Sequence, residues 1–194
     1  LVRRVFRVMP GAWAVFHSAA GGVGSLAGQW LRALGAHAIG IVGSEDKVAA
    51  ARAAGYEAVF VRGRDDWPAR VRELSGGGVP VVYDPVGRET WAGSLSCLAP
   101  RGHLACFGNS SGQVPPFSVN ELRDRGSLSV SWVRFSDYTA DPAELEAAAR
   151  ELFDALAGGA LRPAAPRCLP LEQAAEAHRL LESGQTTGTL VLVP

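Results

Sequence analysis

Two places in this sequence carry residue types suited to holding an anion. The first is Ala19-Ala20-Gly21-Gly22-Val23-Gly24, which meets the spacing G-x-G-x-x-G with alanine at the first position. That spacing serves a dinucleotide. The first small residue lets a strand turn tightly, Gly21 lets backbone approach a pyrophosphate, and Gly24 lets a helix pack close to a sheet, while free N–H groups at the helix start face the negative charge. The second place is Lys47, the single lysine among 19 basic residues. It follows Gly43-Ser44-Glu45-Asp46, at the end of a second apolar run. There an acidic residue accepts the ribose hydroxyls of NAD, or a cation accommodates the phosphate of NADP. The run ends in Gly43, not in an acid. Glu45 and Asp46 read either as ribose ligands or as first-turn carboxylates favoured by a helix dipole. Ser44 reads as an N-cap or as a phosphate donor, and Lys47 as a solvated side chain or as the phosphate's cation.

A lone glycine fingerprint is weak evidence, so the elements around it decide. Trp13 to His17 is a short apolar run of the kind a buried parallel strand produces, and it leads straight into the loop. After Gly24, the residues Leu26, Ala27, Trp30, Leu31 and Leu34 recur at helical spacing until Gly35. The alternation continues with strands at 38–42, 58–61, 79–83, 103–107 and 127–132. Helices are predicted at 45–54, 67–74, 88–98, 119–125 and 143–156. Regular βαβ alternation predicts an α/β fold of the doubly wound class, a six-stranded parallel Rossmann sheet with helices on both faces. Ligands then bind beyond the carboxyl ends of the strands, so Asp84-Pro85-Val86-Gly87 and Phe107-Gly108-Asn109-Ser110 should border the same crevice as the loop. Asp84 is alternatively a helix N-terminal carboxylate and Asn109 a turn residue. His17 and Tyr83, at strand ends, read as packing residues rather than as acid or base.

Whole-chain properties narrow the partners. Nineteen acidic residues balance the nineteen basic ones, so nothing draws the chain generally to nucleic acid or to an anionic membrane. With 47% hydrophobic and 20% charged residues and no long apolar run, the composition is that of a globular domain without a membrane span. Cys97, Cys106 and Cys168 form no CxxC pair, which argues against a disulfide framework or a zinc site. Arg3, Arg4 and Arg7 interrupt the first apolar residues, unlike a signal peptide, and a cytoplasmic setting is expected. The chain opens on Leu1 in what reads as a helix end, so it is expected to be a fragment.

The segments His17 to Gly24, Val82 to Trp91, Phe107 to Gly112 and Ala177 to Ser183 together resemble the quinone oxidoreductase (zeta-crystallin-like) family of medium-chain dehydrogenases and reductases. The resemblance implies zinc-free reduction of quinones or activated enones by direct hydride transfer from NADPH. It implies cofactor contacts at Ala20, Gly21, Gly22 and Val23 around the pyrophosphate, and at Gly43, Ser44 and Lys47 around the adenosine 2′-phosphate. On the nicotinamide side it implies Phe107, Gly108, Asn109 and Ser110 together with Val130, Ser131 and Trp132. It assigns no catalytic residue. Two departures stand out: Arg62 replaces a tyrosine near the adenosine, where its charge would add to phosphate binding, and a basic residue expected near Gly184-Gln185 is missing.

The family's barrel-like N-terminal catalytic domain has no counterpart in the sequence. Residues 1–160 are therefore expected to form the dinucleotide domain. Residues 161–194 resemble a segment that returns to the absent domain and should be poorly ordered, repacked or used between chains. The apolar strand 127–132, if it is an edge, offers a surface for a homodimer. Two other readings are an enoyl reductase unit of a polyketide or fatty-acid assembly line and a stand-alone, non-catalytic NADP(H)-binding module.

Overall fold

Six strands, the first five largely buried and the sixth not, form one parallel sheet in a computed structural model that describes residues 1–184 and 186–194. The strands are β1 (Trp13–His17), β2 (His37–Val42), β3 (Ala58–Val61), β4 (Val79–Asp84), β5 (Leu98–Cys106) and β6 (Ser129–Trp132), in spatial order β3-β2-β1-β4-β5-β6. Ala14 and Phe16 of β1 face one core with Leu31, Ala38 and Tyr83. Val15 faces the other core with Ile39, Ile41, Trp67 and Leu104. Strands buried on both faces read as continuous apolar runs, which is why the sequence pattern located them.

The helices are α1 (Gly22–Ala33), α2 (Val48–Ala53), α3 (Trp67–Ser75), α4 (Trp91–Ser96), α5 (Val119–Asp124), α6 (Pro142–Ala157) and α7 (Ala174–Glu182). On α1 the buried residues Gly24, Ala27, Gly28 and Leu31 recur at steps of three, one and three, a single stripe laid against the sheet. The helix α3 starts where the Asp66 carboxylate accepts from Ala69 N–H and stops at Gly76, whose φ of +71° suits the left-handed turn. From β1 the chain builds outward through β2 and β3, then returns to build β4, β5 and β6 on the other side. The turn after β1 and the turn after β4 therefore diverge, opening a crevice at the carboxyl ends of these two neighbouring strands.

Three boundaries differ from the sequence reading. The helix expected over 88–98 is confined to Trp91–Ser96, and β5 begins at Leu98, ahead of Pro100-Arg101-Gly102. The strand absorbs that turn signal as an irregularity. Its register with β4 shifts between Val79 and Val81, Arg101 takes a φ of +63°, and Arg101 N–H bonds to Gly126 instead of to the ladder. The helix expected from residue 45 opens as a 3-10 turn, Glu45–Lys47, before α2. In the tail, β7 (Arg167–Pro170) pairs in parallel with β8 (Leu190–Val193) around α7. The prolines around β7 obscured it in the sequence, yet the edge of a two-stranded sheet tolerates a residue that cannot donate.

Candidate functional site: a crevice closed at one end

The glycine loop begins where β1 ends. Ser18 takes a φ of +55°, and its carbonyl accepts from Gly21 N–H at 2.9 Å. The left-handed turn thus falls on Ser18, one residue before the fingerprint, which explains why alanine suffices at position 19. Gly21 is the N-cap of α1 and offers no side chain to the helix start, so the first N–H groups of α1 have no capping side chain. The three glycines serve different contacts. A Cβ on Gly24 would lie 2.2 Å from the Ser18 carbonyl oxygen, so its absence lets α1 press onto the loop. At Gly21 the nearest atom to such a Cβ is the same oxygen, at 3.2 Å. On Gly22 a Cβ would meet the Thr189 hydroxyl at 2.9 Å and the Gly188 carbonyl oxygen at 3.5 Å. Gly22 therefore makes room for the chain's own tail. Gly188 N–H donates to the Ala20 carbonyl at 2.9 Å, and Gly21 and Gly188 form an isolated parallel bridge.

Beside this loop lies a cavity of about 670 Å³. Its floor is formed by strand ends: His17 and Ser18 after β1, Val42 and Gly43 after β2, and Arg62 after β3. Ser44, Asp46 and Lys47 line one side, and Val86 and Ser110, from the turns after β4 and β5, line another. Leu181, Ser183, Gly184 and Thr186 of the tail complete the wall. The Lys47 ammonium donates to the Gly184 carbonyl oxygen. The Arg62 guanidinium lies over Gly43, with Nη2 3.8 Å from where a Cβ would stand, and its Nε is 3.4 Å from a Glu89 carboxylate oxygen. Glu45 pairs with Arg64. Ser44 occupies the N-cap position but makes no side-chain capping bond, so the capping alternative is not realised.

The turns after β4 and β5 are tied to one another. Asp84 accepts from Val86 N–H at 2.8 Å and Gly87 N–H at 3.2 Å. Ser110 N–H and Ser111 N–H bond to the carbonyls of Pro85 and Val86. A Cβ on Gly108 would lie 2.7 Å from the Pro85 carbonyl oxygen, so that glycine permits the two turns to touch.

Of the residues singled out from the sequence, Ala20, Gly21, Gly43, Ser44, Lys47, Arg62 and Ser110 meet around the cavity. Gly22 and Val23 stand beside it at the start of α1. The others do not line it. Phe107 packs its ring on Phe16, with centroids 5.6 Å apart, and Asn109 closes a turn by accepting from Gly112 N–H. On β6, Val130 packs against the core, the Ser131 hydroxyl bonds to His103 at 2.9 Å, and Trp132 is 55% exposed. Of the tail residues in the wall, only the neighbourhood of Gly184 was singled out from the sequence; Leu181, Ser183 and Thr186 were missed because the tail meets the cavity from more than a hundred residues away, and Gln185 lies outside the described residues. Among the described residues no three His, Cys, Asp or Glu side chains gather where they could hold a metal ion. No helix among them is long and apolar enough to cross a membrane.

A parallel sheet in this order, with a glycine turn feeding a helix and a cationic cavity at the switch between β1 and β4, defines a dinucleotide-binding domain of the doubly wound class. The chain belongs to the zinc-binding dehydrogenase family, whose profile matches residues 22–154. It is 42% identical over 197 residues to quinone oxidoreductase 1 of Escherichia coli, covering 100% of this chain and 60% of that protein. It is 39% identical over 196 residues to a 2-haloacrylate reductase of a Burkholderia species, covering 100% of this chain and 59% of that protein. A crystal structure of Escherichia coli quinone oxidoreductase complexed with NADPH superposes with a TM-score of 0.95 at 41% identity, again covering 100% of this chain and 60% of that one. The chain thus spans about 60% of the length of the relatives it matches.

Proposed function

We propose that this chain binds NADPH and, within a longer protein, presents it for hydride transfer to a quinone or an activated enone. The observation that carries the cofactor reading is the convergence of Lys47 and Arg62 on one cavity, at strand ends where no acidic residue closes β2. Two cations outweigh Asp46 there, and Ser44 adds a hydroxyl that caps no helix. Such a donor set suits a phosphate ester on the adenosine ribose, and arginine in particular offers planar paired donors.

In this reading Lys47, Arg62, Gly43 and Ser44 hold the 2′-phosphate. The backbone around Ala20, Gly21, Gly22 and Val23 holds the pyrophosphate at the start of α1, where the helix dipole adds to the N–H groups. Phe107, Gly108, Asn109 and Ser110, with Val130, Ser131 and Trp132, border the nicotinamide half. The bound cofactor supplies a hydride, and this chain contributes no metal-ligand cluster among its described residues. The acceptor class rests on the similarity to a quinone oxidoreductase and to a haloacrylate reductase.

We place residues 1–160 in the dinucleotide domain and give residues 161–194 two partners, the glycine loop and the part of a longer protein that lies beyond this chain. The strand β6 is one of the two edges of the large sheet, β3 being the other, and we assign β6 to pairing between two copies. Three free cysteines are in keeping with a reducing, cytoplasmic setting.

Calorimetric titration of the chain with NADPH and NADH tests the cofactor assignment. Lys47→Ala is expected to weaken NADPH by about 10- to 100-fold, the worth of a charge-assisted contact, and to leave NADH nearly unchanged. Equal affinity of the parent chain for both, or no affinity for NADPH, would overturn it.

A further inference from the structure

Beneath the cavity lies a chain of three buried polar side chains that the cofactor reading does not use. His17 is 1% exposed, Asp84 1% and Ser94 0%. The Ser94 hydroxyl donates to Asp84 Oδ2 at 2.8 Å, and Ser94 Oγ stands 3.0 Å from His17 Nε2. The geometry dictates the protons. A carboxylate can only accept, so the Ser94 hydrogen goes to Asp84, and the Ser94 oxygen must in turn be met by a hydrogen on Nε2. Burial and the nearby Arg62 charge depress the imidazole's affinity for a second proton, against the opposing pull of Asp84, so that His17 is pushed down to about 4. The ring is therefore neutral, with its lone pair on Nδ1.

That Nδ1 is buried and has no hydrogen-bond partner among the described residues. The Trp67 ring stands perpendicular to the imidazole, with centroids 4.9 Å apart, and makes no hydrogen bond to Nδ1. An acceptor left unmade in the interior costs about 1–3 kcal/mol, and a group of this kind in a native fold calls for a reason. His17 also stands among the residues that line the cavity, in register with Ile41 of β2, which lines it too.

We propose that His17 is a positioning residue of the nucleotide site, whose Nδ1 accepts a hydrogen from the adenosine half of the bound dinucleotide. This rests on the NADPH reading. The chemistry excludes the phosphates as its partner, because they bring acceptors, and leaves a ribose hydroxyl or the adenine amine, which bring donors. Because Nδ1 is buried in the free protein, engaging it requires a small adjustment as the nucleotide seats. The Ser94–Asp84 side holds the other end. Asp84 also fixes the turn through Val86 and Gly87, so one imidazole joins the strand that enters the glycine loop to the turn on the facing side of the cavity.

Nitrogen-15 NMR of the histidine side chains, with His17 assigned through His17→Gln, tests this on the intact chain. In the free protein His17 should show a protonated Nε2 and an unprotonated Nδ1. Saturation with adenosine 2′,5′-bisphosphate or NADPH should move the Nδ1 resonance in the direction of an accepted hydrogen bond. The inosine analogue, which lacks the amine, assigns the donor: movement retained marks the hydroxyl, movement lost marks the amine. His17→Gln keeps a donor towards Ser94 but carries no acceptor at the position of Nδ1, so it should bind NADPH about three- to ten-fold more weakly at an unchanged melting temperature. Binding seen by calorimetry with an unmoved Nδ1 would overturn this inference and leave the Lys47 assignment standing. Absence of binding by either ligand would overturn both. Should the Gln variant fail to fold, the resonance in the parent chain still decides.

Discussion

The two ends of the crevice are built differently. At one end, strand ends, the 3-10 turn and the tail enclose a cavity, and its cations are held in place: Lys47 by Gly184, Arg62 by Glu89. At the other end, Trp132 is 55% and Phe135 77% exposed, and none of Val130, Ser131 and Trp132 reaches the cavity. The difference separates two tasks. Holding a nucleotide by its phosphate-bearing half requires fixed donors, and this chain supplies them; orienting an acceptor and excluding water require a second wall. The relatives are longer than this chain, which spans about 60% of them.

The comparison breaks most readily at the glycine loop. Gly24→Val should cost on the order of 4 kcal/mol and abolish nucleotide binding, because its Cβ would stand 2.2 Å from a backbone oxygen that cannot yield. In Gly22→Ala the one close contact is with the end of the Thr189 side chain, which can rotate, while the Gly188 carbonyl oxygen at 3.5 Å is at ordinary contact distance, so about 1 kcal/mol or less is expected. Thermal unfolding of the two variants checks the order, and comparable losses would deny Gly22 its separate role.

A smaller effect concerns acid. His17 binds its proton near 6.5 when unfolded and near 4 when folded, so across that window the unfolded chain holds more protons than the folded one. Stability is fully present above pH 6.5 and falls as pH drops towards 4, by roughly 3 kcal/mol. Asp84, held below the usual carboxylate range by its hydrogen bonds and by His17 despite burial, adds its own loss at lower pH. Denaturation curves across this range should lose the upper slope in His17→Gln; an unchanged slope would show that another group produces it. The smallest effect is expected at the open end. Trp132→Ala should leave NADPH affinity within about twofold, as surface changes do, while weakening any dimer built on β6 in light scattering. A large loss of affinity would mean that the cofactor is held from both ends.

What could be read from the sequence was local. The run Trp13 to His17, the loop and the apolar stripe of α1 lie within a few turns of one another, and their spacing alone located them. Lys47 was legible as a lone cation after an apolar strand. The contacts that complete the site were not, because they join distant segments: His17 to Ser94 across 77 residues, Lys47 to Gly184 across 137. His17 read as a packing residue, which its burial against Trp67 makes half true. The role of Gly22 was hidden for the same reason, since Thr189, the atom source it makes room for, belongs to the tail. Even Pro100 to Gly102, whose residue types favour a turn, lies inside β5, because a strand can carry a turn as a bulge.

The fastening of Gly188 to Ala20 and of Gly184 to Lys47 has a temporal side. Closing so long a ring costs little more than closing a short one, because the entropy grows by only about 0.6 kcal/mol for each doubling of length. It is the waiting that differs. Contacts of wide separation form after local ones, so the glycine turn can fold as soon as β1 and α1 meet, whereas the wall beside it arrives with the tail. The tail wall, not the glycine turn, is therefore the part of the cavity that depends on long-range contacts.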